Sequence, residues 1–245
     1  MKILLTNDDG IAGEGLRILA KWARTLGEVL IVAPKTEQSA MGQSIVLRRP
    51  FEVAERDSFA DLGLRSFSID STPADCVRFA VDRFGRFDLV FSGINRGLNL
   101  GYDIAYSGTC AAAFEANYAG IPSVAFSTSP DGFPAAERSL DRVWEFLARR
   151  NLPTADGMLN VNIPAEPHGI RFSRQGGISF RDHFLPQGEN LVQASTYTAY
   201  RRQTPTNPPT DLDLVYNGWI SVTPLRVDRT DETLFARLCG TENQN

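Results

Sequence analysis

Histidine is almost absent from this chain, which has only His168 and His183 in 245 residues. A histidine-rich metal centre is therefore excluded, and a Ser-His-Asp triad would have to use one of those two late positions. Lysine is nearly as scarce, at Lys2, Lys21 and Lys35 alone. No Gly-Lys-Ser/Thr string exists, which excludes a P-loop ATPase. The three cysteines, Cys76, Cys110 and Cys239, are odd in number and unpatterned. They form neither a disulfide framework nor a zinc motif, and a reducing, cytoplasmic setting is expected. No run of about 18 apolar residues is present, so no membrane span is expected. The apolar start Ile3-Leu4-Leu5 meets Asn7-Asp8-Asp9 too soon for a signal peptide. Positive charge is not in excess either: 25 Lys+Arg against 29 Asp+Glu give a net charge of −4. Stable binding to nucleic acid, which rests on neutralising phosphates, is not expected of such a surface.

What the chain has is a rhythm of buried strands and amphipathic helices. Lys2–Thr6 is a short apolar strand ending in Asn7-Asp8-Asp9-Gly10, and Leu16, Leu19, Ala20, Ala23 and Leu26 follow helical spacing up to Gly27. Val29–Ala33 is a second apolar strand closed by Pro34. Residues 35–44 are polar and lack periodicity, so a loop is expected, followed by short strands near 45–48, 51–55 and 64–69. Ser71-Thr72-Pro73-Ala74-Asp75 opens a helix to about Phe84, with a hydroxyl cap, proline in the first turn and an acid near the positive end of the dipole. Asp88–Ser92 is the next strand and leads into a glycine-rich loop. An alanine-rich helix from near Thr109 to Gly120, a strand at Ser123–Ser127, a helix opened by Pro134 and a strand at Asn160–Ile163 follow. Beyond about residue 165 helical periodicity fades. Asn190–Tyr200 alternates like a strand, Thr204–Thr210 is proline-rich and extended, and Trp219–Leu225 is a further strand. The expected fold is a doubly wound, mostly parallel α/β sheet over residues 1–165, with a β-rich arm and C-terminal segment over 166–245 packed on it.

Ligands of open α/β sheets bind beyond the carboxyl ends of the strands. Topology alone brings Asp8 and Asp9, Ser39, Asn95 and the Ser107-Gly108-Thr109 stretch to that edge. Two adjacent carboxylates repel unless a proton or a cation lies between them. With no His or Cys beside them, the donors are carboxylate, hydroxyl and amide oxygens, a set suited to a hard divalent cation, Mg²⁺ or Mn²⁺. Backbone amides at Ser107, Gly108 and Thr109, at a helix N-terminus, are a cradle for phosphate. A cation beside a phosphate pocket points to phosphoryl hydrolysis. Taken singly, most of these residues also have a plain role: Asp8, Ser107 or Thr109 as a helix cap, Ser39 and Asn95 as turn residues; Asp9 is harder to explain so, because one cap needs one carboxylate.

The strings themselves go further. The chain opens with Ile3-Leu4-Leu5-Thr6-Asn7-Asp8-Asp9-Gly10-Ile11, followed by Val32-Ala33-Pro34 with Gln38-Ser39, and Gly42-Gln43-Ser44-Ile45. It continues through Thr72-Pro73-Ala74-Asp75, Ser92-Gly93-Ile94-Asn95-Arg96-Gly97, Tyr106-Ser107-Gly108-Thr109, Asn160-Val161-Asn162-Ile163-Pro164 and Ser221-Val222-Thr223-Pro224-Leu225. In this order these strings resemble the SurE family of metal-dependent 5′-nucleotidases. The resemblance implies a Rossmann-like core with a C-terminal β-hairpin arm that builds homodimers or homotetramers. It implies one divalent cation per subunit on Asp8, Asp9, Ser39 and Asn95, with phosphate contacts from Ser107, Gly108 and Thr109. The implied activity is hydrolysis of nucleoside 5′-monophosphates, extending in some members to 3′-nucleotides and short polyphosphate. Asp8, Asp9 and Asn95 are the candidate catalytic residues, and either aspartate is placed to orient or deprotonate the attacking water. Cys110-Ala111 and Ser39-Ala40 depart from the usual Val-Gly and Ser-Gly.

Other readings share parts of this pattern. A haloacid-dehalogenase-type phosphatase needs a second Asp two residues beyond the first and a downstream lysine, but position 10 is Gly and no Lys follows Lys35. A phosphoacceptor signalling module also opens with an acidic pair and also needs that late lysine. A non-catalytic nucleotide-binding protein is the remaining alternative.

Overall fold

The computed structural model describes residues 1–177, 180–197 and 206–242. Its frame is a nine-stranded sheet. In chain order the first strands are β1 (Lys2–Thr6), β2 (Glu28–Pro34), β3 (Val53–Arg56), β4 (Arg65–Ile69) and β5 (Leu89–Arg96). These are followed by β6 (Ser123–Thr128), β7 (Met158–Ile163), β8 (Gly169–Phe172), a separate hairpin of β9 (Phe180–Gln187) with β10 (Asn190–Tyr197), and β11 (Trp219–Leu225). The order across the large sheet is β3-β4-β2-β1-β5-β6-β7-β11-β8. From β4 to β7 every pairing is parallel, whereas β3 and β11 run antiparallel to their inner neighbours.

Counted in chain order, the six parallel strands have the doubly wound arrangement, with the order reversing between β1 and β5. That is the switch point where such folds open a crevice. The helices α1 (Glu14–Ala23), α2 (Pro73–Phe84), α3 (Gly108–Tyr118) and α4 (Phe133–Ala148) cover both faces. Leu16, Leu19 and Ala20 of α1 share a core cluster with Leu140, Val143 and Leu147 of α4. On the other face Cys76, Val77 and Ala80 of α2 pack with Ala112 and Ala116 of α3. Because both faces are covered, the central strands β1 and β2 are continuous apolar runs instead of alternating: Ile3, Leu4 and Leu5 are all fully buried.

Several expectations need correction. Residues 45–48 are not a strand, because the Val46 amide donates to the Asp75 carboxylate at 2.8 Å and not to a neighbouring strand. β5 does not stop at Ser92; it continues to Arg96 past an irregularity between Ser92 and Asn95, so Asn95 stands on the strand end and not in a free loop. The last third is not devoid of helix, containing α5 (Asp211–Tyr216) and α6 (Glu232–Glu242). A capping box in which Thr210 and Asp213 bond reciprocally starts α5. β8 and β11, both beyond residue 165, complete the large sheet, and the hairpin β9-β10 forms a separate two-stranded sheet. Of the expected strand Asn190–Tyr200, residues 198–200 lie outside the described residues, as do residues 204 and 205 of the proline-rich connection. No helix among the described residues is long and apolar enough to cross a membrane.

Candidate active site

The turn after β1 is pinned before any ligand is considered. The side-chain amide of Asn7, fully buried, donates to Gly10 O at 2.9 Å. Gln38 N donates to Asp8 O at 2.8 Å and Ile11 N to Pro34 O at 2.8 Å, which ties the loop after β2 to the acidic turn. Farther along, Gly42 N donates to Tyr106 O at 2.8 Å, so the same loop reaches the segment that opens α3. Three loops from the switch-point edge are therefore bonded into one platform.

Asp8 is buried at its centre. Thr109 donates to it from the side-chain hydroxyl and bonds it through the backbone as well. Gly108 has to be glycine for this approach: a Cβ there would lie 2.8 Å from Asp8 Cβ and 3.1 Å from Asp8 Oδ2. Asp9 is partly buried and accepts from the backbone N–H of Arg96, the neighbour of Asn95. The Asn95 amide nitrogen is committed to Gly97 O at 2.8 Å, which leaves its oxygen as the donor atom for a cation. Behind it a buried amide network holds the loop, with Asn99 N on Asn162 Oδ1 at 2.8 Å and Asn160 Nδ2 on Asn99 O at 2.8 Å. The Ser39 hydroxyl is exposed and donates to Glu37, so it is not bonded to either aspartate. Ser107 is the N-cap of α3, its hydroxyl accepting from Cys110 N at 3.0 Å. The plain capping role of Ser107 is thus present, whereas Thr109 turns its hydroxyl to Asp8 and not to the helix.

Electrostatics favour a cation here. Burial, reinforced by the charge of Asp9, pushes the Asp8 carboxyl up to about 6 despite the Thr109 hydrogen bond. Burial also raises Asp9, and the charge of Glu37 adds to it while Arg96 opposes. Glu37 is an acid near the site that the sequence reading did not single out. Asn7 Oδ1 is buried without a hydrogen-bond partner and belongs to the same turn. Among the described residues no group of three or more His, Cys, Asp or Glu side chains is arranged to hold a metal. The turn offers two carboxylates with the Asn95 amide oxygen beside them, donors that suit a hard cation retaining water. Cys110 is excluded as a nucleophile, because complete burial pushes its thiol up to about 12 and only a thiolate attacks.

The raised Asp8 carboxyl has a measurable consequence. Between pH 4 and pH 6 the folded chain still holds a proton that the unfolded chain has released. Stability of the metal-free protein therefore falls as pH rises through that window, by up to about 3 kcal/mol for a shift from 3.8 to about 6. Thermal melting in chelator is expected to show this fall, and Asp8→Asn is expected to remove most of it and raise the melting point at pH 7. An equally steep fall in the variant would contradict the assignment.

Comparison with known proteins places the chain in a family. The family model described as "Survival protein SurE" matches residues 3–182. The chain belongs to the SurE family. Among its SurE relatives, the protein named 5′-nucleotidase SurE 1 of Thermus thermophilus is 39% identical, over 98% of this chain and 97% of that one. The 5′-nucleotidase SurE of Vibrio cholerae is 36% identical, over 94% and 93%. The crystal structure of the SurE protein from Aquifex aeolicus superimposes with a TM-score of 0.82 at 32% identity, covering 99% of this chain and all of that one. The Rossmann-like core with its late hairpin is thus a SurE fold.

Proposed function

We propose that this chain is a divalent-cation-dependent phosphatase of nucleoside 5′-monophosphates. The observation that carries it is the junction of the acidic turn with the first turn of α3, where Thr109 bonds Asp8 directly. Asp8, Asp9, Ser39 and Asn95 would hold one Mg²⁺ or Mn²⁺ per subunit. Bound there, the cation supplies Lewis-acid polarisation of the phosphate ester and acidifies a water. The chain's own residues do the rest. Asp8 and Asp9 supply two negative charges to balance the dication, so the site does not repel an anionic substrate. The α3 N-terminus, at Ser107, Gly108 and Thr109, receives the phosphate with its dipole and amides. Tyr102 and Tyr106, 57% and 62% exposed on the turn leading into α3, are the aromatic faces against which the nucleoside rests. Support for the reading comes from relatives named 5′-nucleotidase over nearly the full chain. Unpaired buried Cys76 and Cys110 suit a cytoplasmic enzyme.

Phosphate release from nucleoside 5′-monophosphates tests this directly. It is expected to require added Mg²⁺ or Mn²⁺ and to stop in chelator. Full activity in chelator would overturn the proposal, and comparison with 3′-nucleotides and short polyphosphate defines the range.

The hairpin completes the proposal. Phe184, Leu185 and Leu191 on it are more than half exposed, at 66%, 51% and 67%. A second copy of the chain is the proposed cover for these side chains, giving a homodimer or homotetramer. Replacing residues 184–193 by a short Gly-Ser turn is expected to yield a smaller species in sedimentation; an unchanged oligomer would remove the hairpin from the assembly.

A further inference from the structure

Asp211, the first residue of α5, is completely buried, yet no arginine or lysine pairs with it among the described residues. Its carboxylate is satisfied by backbone amides from three separate segments. One oxygen accepts from Gly101 N at 2.8 Å, and the other accepts from Gly176 N and Leu212 N, each at 2.8 Å. Its own N–H donates to Arg174 O at 2.8 Å. Two further bonds run parallel to this grip: Gln175 Nε2 to Gly101 O at 2.8 Å and Tyr102 N to Gly177 O at 3.1 Å. Residues 174–177 are the root of the hairpin. Residues 101–105 form the 3₁₀ turn that continues through Tyr106 into Ser107, whose N–H bonds back to Asp103 O at 3.1 Å.

A neutral side chain would fill this place at a lower desolvation cost, since a buried ionised carboxylate is disfavoured without a cation. Only a carboxylate accepts at both of its oxygens; an asparagine would set an N–H₂ against one of the three donors. The chemistry of the position is therefore that of a clamp on the backbone, and what it clamps is the turn that delivers the start of α3.

We propose that Asp211 is a positioning residue for substrate phosphate, acting through Gly101 and the 3₁₀ turn to set where Ser107, Gly108 and Thr109 stand. The inference rests on the reading of that stretch as the phosphate site. It links the root of the hairpin to the site through one side chain that touches neither cation nor substrate.

The test compares wild type, Asp211→Asn and the milder Gln175→Leu, which removes the parallel strut without altering a buried charge. Inorganic phosphate binding is measured by calorimetry at saturating Mn²⁺, and Mn²⁺ binding alone by electron paramagnetic resonance. Asp211→Asn is expected to weaken phosphate about tenfold, with a matching rise in KM, while Mn²⁺ affinity stays within about twofold. Gln175→Leu is expected to show a smaller loss of the same kind. A lowered melting point with unchanged phosphate affinity would reduce Asp211 to a purely structural residue and overturn the proposal. Equal losses of phosphate and Mn²⁺ would overturn it too, by showing a general collapse of the platform. If Asp211→Asn does not fold, unaltered phosphate binding in Gln175→Leu overturns it. Wild type that binds Mn²⁺ but no phosphate would instead sink the underlying site assignment, and this inference with it.

Discussion

Asp9→Asn is expected to lower kcat/KM for a nucleoside 5′-monophosphate on the order of a thousandfold, about 4 kcal/mol of lost transition-state stabilisation. The substitution is nearly isosteric, and the asparagine oxygen still accepts from the Arg96 N–H that Asp9 now uses. What disappears is one of two negative charges facing the cation. A dication held by Asp8 alone would keep excess positive charge and a weaker grip, so excess Mn²⁺ is expected to recover part of the loss. Folding is not expected to suffer, because burial already disfavours the ionised form of Asp9. Steady-state rates over a Mn²⁺ titration, together with thermal melting, separate these effects. A rate within tenfold of wild type at limiting Mn²⁺ would remove Asp9 from the site.

The largest expected effect on stability comes from Gly15→Ala in the first turn of α1. Glycine to alanine on a helix ordinarily adds about 1 kcal/mol of stability, so a naive expectation has the opposite sign. Here a Cβ would lie 1.8 Å from Ile94 O and 3.0 Å from the Phe133 ring. The first contact is with backbone in the middle of the sheet, which no rotamer change relieves. α1 must withdraw from β5, at a cost of about 3 kcal/mol, lowering Tm by roughly 6–12 °C. The displaced residue, Ile94, immediately precedes Asn95, so activity is expected to fall at temperatures where the variant is still folded. Differential scanning calorimetry with parallel rate measurements checks both, and a melting point equal to or above wild type would refute the close approach.

Where burial and periodicity set the structure locally, it was legible from residues alone. β1, β2, α1, α2 and β11 follow from apolar runs, caps and breakers such as Thr72-Pro73 and Gly27. The approach of the acidic turn to Thr109 and to the end of β5 at Arg96 follows from the switch-point rule without any knowledge of contacts. Local pattern failed where long-range partners decide. Ile45–Arg48 has strand-like composition, but its Val46 amide is taken by Asp75. β5 overruns the glycine at position 93 because β6 pairs with Asn95 and Arg96 beyond the irregularity. α5 was missed although Thr210 and Asp213 spell a capping box, since a six-residue helix carries too little periodicity to register. The bonds of Thr109 to Asp8 and of Asp211 to Gly101 span about a hundred residues, and no spacing rule reaches that far.

The antiparallel pairing of β7 with β11 has a consequence for a chain emerging from a ribosome. By the end of β7 all six parallel strands exist, and the acidic turn can already meet the start of α3. Yet the outer edge of Met158–Ile163, a strand buried along its whole length, stays open until the hairpin and α5 have been made and Trp219–Leu225 arrives to cover it. A product broken off within the hairpin would therefore carry a nearly finished sheet whose β7 edge presents unpaired backbone N–H and C=O groups, the kind of edge that recruits other strands. The arrival of β11 is thus the step that ends the period in which the growing sheet is open to aggregation.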